Sequence, residues 1–542
     1  MRNTDHPAGS HAPAPRTIQG PQGLLDRILD TPHLAQVVPQ LQPEALHRII
    51  QTCGLEDCGE IVVLATPGQL AQVFDLDLWR AGQPGLDEQF DADRFGVWLD
   101  VLVESGAAVA AETLARMEVD LVITGLAQHV RVFDLAAGVH TQDDVLTCEI
   151  GGYGVDARRT DSWNAIVAAL RALDAEHQGF FHRVMRGCRS LSSSTPEIDG
   201  LDDLLTVPDQ VMFTLALHRE RRRERQGYAT PAQARAFLRM SRTFRFAEDA
   251  TPPVNPVARA YFRAIESPTA PAADADSTPG RLPAASGAAP TPEDSSDAVA
   301  AVVGLLLDAG VLPQPPRALL EGPTDHMSPL ARIQAQMQCA RDRDPVACST
   351  RIAELAYLAN TIVAGCSIQA RALASQEALQ AAVAVCNLGL ENWPSQPLPD
   401  DFLVEHDLVS VFQVGWTVLY ESVCMYSAER LIEILVGLRS DDRAIQAGLR
   451  ALRMEMKKHW KVGTPWKARE ALDVVTILDM PAWATLLGLI DEFPVIHAGM
   501  SASRDSRARA ISASAFEFIS ENSQIASVHD FMQSLPDILR RR

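Results

Sequence analysis

The stretch from Leu41 to Arg80, LQPEALHRIIQTCGLEDCGEIVVLATPGQLAQVFDLDLWR, constrains the fold more than any other part of this 542-residue chain. Three helix-start signals, Pro43-Glu44, Leu55-Glu56-Asp57 and Thr66-Pro67, each precede a short apolar-periodic run. Proline suits a first helical turn because the N–H it lacks would be unpaired there, and early acids complement the positive helix end. The runs carry Leu46, Ile49 and Ile50, then Ile61, Val62 and Leu64, then Leu70, Val73 and Phe74. Helices this short cannot hold themselves in water and must stack on their neighbours. The stretch predicts a superhelix of short helices.

The texture changes at Val130–Phe133, where residues alternate and are β-branched, and again at Val145–Ile150 and Tyr153–Val155. Gly151-Gly152 between the last two reads as a turn, so a small β-hairpin insert is expected near residues 130–156. Helical patterns resume at Asp161–Asp174, His177–Arg189 and Leu201–Arg225. Residues 252–297 are rich in Pro, Ala, Ser, Thr and Asp, poor in apolar anchors, and read as a disordered linker. They would divide a helical-repeat-like domain, residues 21–251, from a helical bundle, residues 298–542, with residues 1–20 a disordered tail. The expected class is mainly α: a superhelix with a β-insert, then a bundle.

Acids outnumber bases 69 to 48, a formal charge of −21, which repels phosphate backbones and makes nucleic acid an unlikely partner. Nine cysteines form no CxxC pair and read as reduced thiols of the cytoplasm. The first twenty residues lack the apolar core of a secretory signal. Leu408–Leu438 is the one stretch that invites a membrane test. Gln413, Glu421, Glu429, Arg430 and Glu433 interrupt it, which suits a buried bundle helix better than a span. No HExxH, P-loop, GxSxG or kinase signature occurs, so no cofactor and no metal site is expected.

Gly54-Leu55-Glu56-Asp57, Asp75-Leu76-Asp77-Leu78-Trp79, Val130–Phe133, Gly227-Tyr228 with Ala232–Ala236, Glu354–Asn360 (ELAYLAN) and Cys386–Glu391 (CNLGLE) form a distinctive set. In these segments the chain resembles a family of bacterial proteins of unknown function, which implies no activity. More remotely, Pro43–Trp79 resembles the cytosolic helical domain of MgtE-type magnesium transporters. The membrane half of such a transporter is missing, so the likeness does not imply transport.

Two groups of residues are candidates for function. On a helix, Glu354, Tyr357 and Thr361 share a face with Asn360 beside them, and Asn387 and Glu391 lie one turn apart on another. If the two faces met, carboxylates, a phenol and amides would surround a small cavity fit for a ligand or for acid–base work. The competing reading is that they cap helices and hydrogen-bond across the bundle. The second group is basic: Arg221, Arg222 and Arg223 at a helix end, and Lys457, Lys458 and Trp460. Such patches suit an anionic partner, an acidic protein before nucleic acid, or else are solvated helix ends. With no catalytic motif in competition, a non-enzymatic scaffold or regulatory protein with a protein partner and no membrane role leads. An enzyme, or a metal or small-ligand sensor built in the bundle, is the alternative.

Overall fold

The computed structural model describes residues 20–81, 88–135, 146–193, 207–245, 260–266, 269, 292–320, 329–368, 371–438, 480–497 and 516–540, with isolated positions between 443 and 450. Among the described residues it is mainly α, 73% helical, with only small sheets of two or three strands.

The predicted ladder forms. Helices α1 (Gly20–Leu29), α2 (Leu34–Val37), α3 (Pro43–Cys53), α4 (Gly59–Leu64) and α5 (Pro67–Asp77) follow one another, with a 3-10 turn at Glu56–Cys58. Thr66 and Gln69 close a capping box at the start of α5. The Gln69 amide then reaches back to the carbonyls of Val38 at 2.9 Å and Leu41 at 2.6 Å, tying α5 to the segment before α3. Gly54 ends α3 at φ +95°, a conformation that a side chain would strain.

A two-stranded ribbon, β1 (Trp79–Arg80) and β2 (Gln89–Phe90), leads into α6 (Ala92–Glu104), α7 (Ala107–Ala115) and α8 (Val119–His129). The expected insert is a three-stranded antiparallel sheet of β3 (Val130–Asp134), β4 (Thr147–Ile150) and β5 (Tyr153–Ala157), ordered β3-β5-β4. Ile150 pairs with Tyr153 across Gly151-Gly152, whose φ values of 58° and 84° suit a two-residue hairpin turn. Helices α9 (Trp163–Glu176), α10 (Gln178–Ser193), α11 (Val207–Arg225) and α12 (Pro231–Ser241) complete the first half.

The second half contains α13 (Arg263–Glu266), α14 (Pro292–Asp308), α15 (Pro316–Leu320), α16 (Ala331–Arg343) and α17 (Pro345–Gly365). After the short ribbon β6 (Ser367–Ile368) and β7 (Arg371–Ala372) come α18 (Ser375–Glu391), α19 (Phe402–Glu405), α20 (Leu408–Leu419) and α21 (Tyr426–Leu438). A π-helical turn, Tyr420–Met425, joins α20 to α21. Beyond lie α22 (Met480–Leu489), β8 (Val495–His497), β9 (Phe516–Phe518) and α23 (Asn522–Arg540). Helices α18 and α20 cross at two glycines. A Cβ on Gly389 would fall 2.0 Å from the Val411 carbonyl oxygen, and one on Gly415 would fall 2.0 Å from that of Val385. Leu408–Ile434 is long and apolar enough to cross a membrane by length and composition, yet 67% of its most apolar window is buried inside the bundle.

Two apolar cores form, and they do not divide where composition divides the chain. Val299, Val302, Val303 and Leu306 of α14 pack into the first core, although they follow the Pro- and Ser-rich stretch. Leu238 of α12 packs into the second, although it precedes that stretch. Within residues 252–297 the expectation of a disordered linker fails at 292–297, where α14 begins, and at 260–266. Ala260 and Ala264 are fully buried there, and Phe262 is buried in the second core. A few apolar side chains suffice to anchor a segment whose average composition is loose. Apart from Thr269, which bridges Leu41, the remainder of 252–291 and residues 1–19 of the expected tail lie outside the described residues.

Candidate ligand cleft

The bundle candidates do not converge on a cavity. Glu354 is buried on α17, where both carboxylate oxygens accept from Arg351 Nη1 at 2.8 Å. Its Oε2 also accepts from the Leu408 N–H at 2.7 Å, so it caps the positive end of α20. Burial pushes this carboxyl above its ordinary value, against the pull of Arg351. Tyr357 is half-buried and packs edge-on to Phe237, 6.1 Å between ring centres. Asn360 donates to the Gly227 carbonyl at 2.9 Å, and its buried Oδ1 has no partner.

Asn387 accepts from the Ile333 N–H and donates to the carbonyls of Pro329 and Ser520, all at 3.0 Å. Glu391 accepts from the Asn522 N–H at 2.8 Å. Helical spacing put these groups on shared faces, but each face meets a different helix end. Orphan N–H and C=O groups at those ends capture the side chains. Among the described residues no group of three His, Cys, Asp or Glu side chains could hold a metal ion.

The arginine patch is likewise consumed. Arg222 grips Asp75 with Nε and Nη2 at 2.8 and 2.7 Å, and pairs with Glu118 through Nη1 at 2.5 Å. Arg223 and Arg219 share Glu88, at 2.8 and 2.5 Å. Burial alone would raise Glu88, but these two guanidiniums hold it below its ordinary value. Arg219 stacks over Trp79 at 4.7 Å and Arg223 over Tyr228 at 4.8 Å. Tyr228 in turn donates to Glu44 at 3.1 Å. Only Arg221 of the three predicted arginines is exposed. Local charge counting missed acids that are 104 to 147 positions away in sequence. Lys457, Lys458 and Trp460 lie outside the described residues.

One of several open clefts, of about 320 Å³, lies between α3, α5 and α6 and is built from the GLED and DLDLWR segments. Its open surface is mostly polar; Ile50, Leu55 and Trp79 line it but are nearly fully buried, and Leu76 is half-buried. Asp77 stands at its side, on the last turn of α5, where the helix dipole disfavours a carboxylate. Three neighbours compensate. Oδ2 accepts from Arg94 Nε and Trp98 Nε1, each at 2.7 Å, and His47 Nε2 lies 3.5 Å from Oδ1, an ion-pair distance rather than a hydrogen bond. Burial works to raise Asp77, but its partners hold it well below the ordinary carboxylate range. Burial pushes His47 down, toward the neutral ring.

Two guanidiniums line this cleft, and each is oriented by a carboxylate through Nε. Arg94 is fixed by Asp77, and Arg80 by Asp91 at 2.7 Å. Their terminal nitrogens donate to no other protein group among the described residues. Glu56, exposed, forms the facing rim. Sequence reasoning singles out GLED and DLDLW as distinctive but not as a site. The available signal is a pair of acids, Asp75 and Asp77, on a helix otherwise bearing Leu70, Val73 and Phe74 inward.

Residues 18–197 match the model of a family of unknown function (DUF6178), a span that contains the whole cleft and the three-stranded sheet. The resemblance to a family of unknown function therefore holds for that segment. The weaker likeness to magnesium transporters finds no support in these comparisons. No curated protein and no solved structure matches the chain.

Proposed function

We propose that this chain is a non-enzymatic scaffold or regulatory protein of the bacterial cytosol that binds another protein. The observation that carries the reading is how the reactive side chains are used. Glu354, Asn387 and Glu391 cap or bridge helix ends, and Arg219, Arg222 and Arg223 are locked onto Asp75, Glu88 and Glu118. Groups held this way stiffen a surface and leave little freedom for acid–base or nucleophilic chemistry. The buried thiols fit the same picture. Burial raises Cys58 and Cys188 to about 12, far from a reactive thiolate. The stacked short helices from α1 to α9 supply the kind of extended surface that protein partners use. A net charge of −21 favours a partner with a basic face over nucleic acid.

One pair of observations favours the alternative, a ligand sensor in the bundle: the π-helical turn at Tyr420–Met425 and the unpartnered Oδ1 of Asn360. Chemical cross-linking of the tagged chain in its own host separates the two readings. Stoichiometric links from one protein to the helices between residues 20 and 193 support the scaffold. A bound small molecule or metal that is lost in Asn360→Ala, with no partner linked, supports the sensor.

A further inference from the structure

The open cleft has two charged walls that do not neutralise each other. On one wall Arg94 and Arg80 present terminal nitrogens with no protein acceptor among the described residues, each guanidinium paired through Nε with Asp77 or Asp91. On the other, the GLED turn folds two acids back over Gly54. A Cβ placed on that glycine would lie 3.8 Å from Asp57 Oδ2 and 4.0 Å from Glu56 Oε2. Gly54 supplies the φ of +95° that the turn needs. Glu56 forms no ion pair among the described residues, although two arginines line the same cleft. Opposite charges that line one cleft without pairing with each other are complementary to a molecule carrying both charges itself.

We propose that this cleft binds a small zwitterion, with its carboxylate on Arg94 and Arg80 and its ammonium on Glu56. The Arg94 fork suits a planar carboxylate, because its terminal nitrogens can donate in parallel while Nε stays on Asp77. A phosphate dianion fits less well, since Asp77 and Glu56 would both oppose the added charge. A volume of about 320 Å³ is at the lower end for ligand pockets, which suits an amino acid or a short ω-amino acid better than an extended peptide. Leu76, half-buried in the lining, would meet the methylene chain. The inference does not depend on a protein partner and is compatible with a scaffold that takes the zwitterion as a regulatory input.

The test is isothermal titration of the full chain with glycine, β-alanine, 4-aminobutyrate, 6-aminohexanoate and lysine, with acetate and methylammonium as single-charge controls. At least one zwitterion is expected to bind tenfold or more tighter than either control. Glu56→Gln and Arg80→Gln, both at exposed positions, should each weaken it by about tenfold, as loss of one charge-assisted contact does. Arg94→Gln should abolish binding. Because that change also takes a donor from Asp77, the double variant Asp77→Asn/Arg94→Gln guards against a folding defect. Zwitterions that bind no tighter than the controls, or binding indifferent to Glu56→Gln and Arg80→Gln alike, would overturn the proposal.

Discussion

Arg222 holds Asp75 through two parallel hydrogen bonds, Nε to Oδ2 at 2.8 Å and Nη2 to Oδ1 at 2.7 Å, across 147 positions of sequence. The pair joins the long helix α11 to the end of the short-helix ladder. Asp75 is nearly fully buried, so removing the arginine leaves a charge that water cannot reach. Arg222→Ala is expected to cost about 3 kcal/mol in urea unfolding, in line with broken buried pairs. Asp75→Ala/Arg222→Ala should recover part of that loss, and the double-mutant cycle gives the coupling. A loss below about 0.5 kcal/mol, the size of a surface pair, would mean that α11 is not docked as described.

Asp77 sets an acid limb on stability. Its folded pKa is depressed from an ordinary 3.8, chiefly by His47, Arg94 and Trp98 working against burial. The unfolded chain therefore binds this proton more readily. The stabilisation is complete above the ordinary value and is lost as pH falls below it toward the folded value. Asp77→Asn should be less stable than the parent at pH 7, and the gap should shrink steadily below about pH 4 in equilibrium unfolding. A gap that stays constant over that range would show that the charge does not carry the interaction.

Glu354 has the opposite sign. Burial, the largest influence, raises it above an ordinary 4.5 despite Arg351 and the Leu408 N–H. The folded state then holds the proton longer, so this residue's contribution falls as pH rises from about 4.5 through the raised value. Glu354→Gln keeps an acceptor for Leu408 and should flatten that fall. An unchanged pH profile in this variant would count against the burial of Glu354.

Two glycines differ sharply in what surrounds them. Gly389→Ala would put a methyl 2.0 Å from a backbone oxygen of α20, a clash no side-chain rotation relieves. We expect it to destabilise the chain by about 3 kcal/mol, at the upper end of overpacking costs. At Gly304, inside α14, a methyl group would meet nothing within 4 Å. Gly304→Ala should stabilise by about 0.5–1 kcal/mol through helix propensity. Thermal melts of the two single variants should therefore move in opposite directions.

Local signals in the sequence carried much of the fold. Thr66-Pro67 announced the start of α5, and Gly151-Gly152 announced a hairpin because both positions need positive φ. Long-range pairing was not legible. Arg219–Arg225 counted as a basic patch because Asp75, Glu88 and Glu118 are far away in sequence, although they close on it in space. The Glu354 face showed the right helical spacing, but spacing alone cannot say which helix end meets it; Leu408 and Gly227 do. The exchange of α12 and α14 between the two cores was hidden by a biased stretch whose average masked Phe262. The cleft was visible only as two distinctive segments. Its charged walls need the turn at Gly54 and the start of α6 brought together.

The most direct measurement is native mass spectrometry, with elemental analysis, of the full chain purified from its own host without chelator. A complex with one other protein at fixed stoichiometry, undisturbed by Glu354→Gln, is the predicted result. A bare chain carrying instead a stoichiometric metal or small molecule that Glu354→Gln releases without unfolding would contradict the scaffold reading and move the function into the bundle.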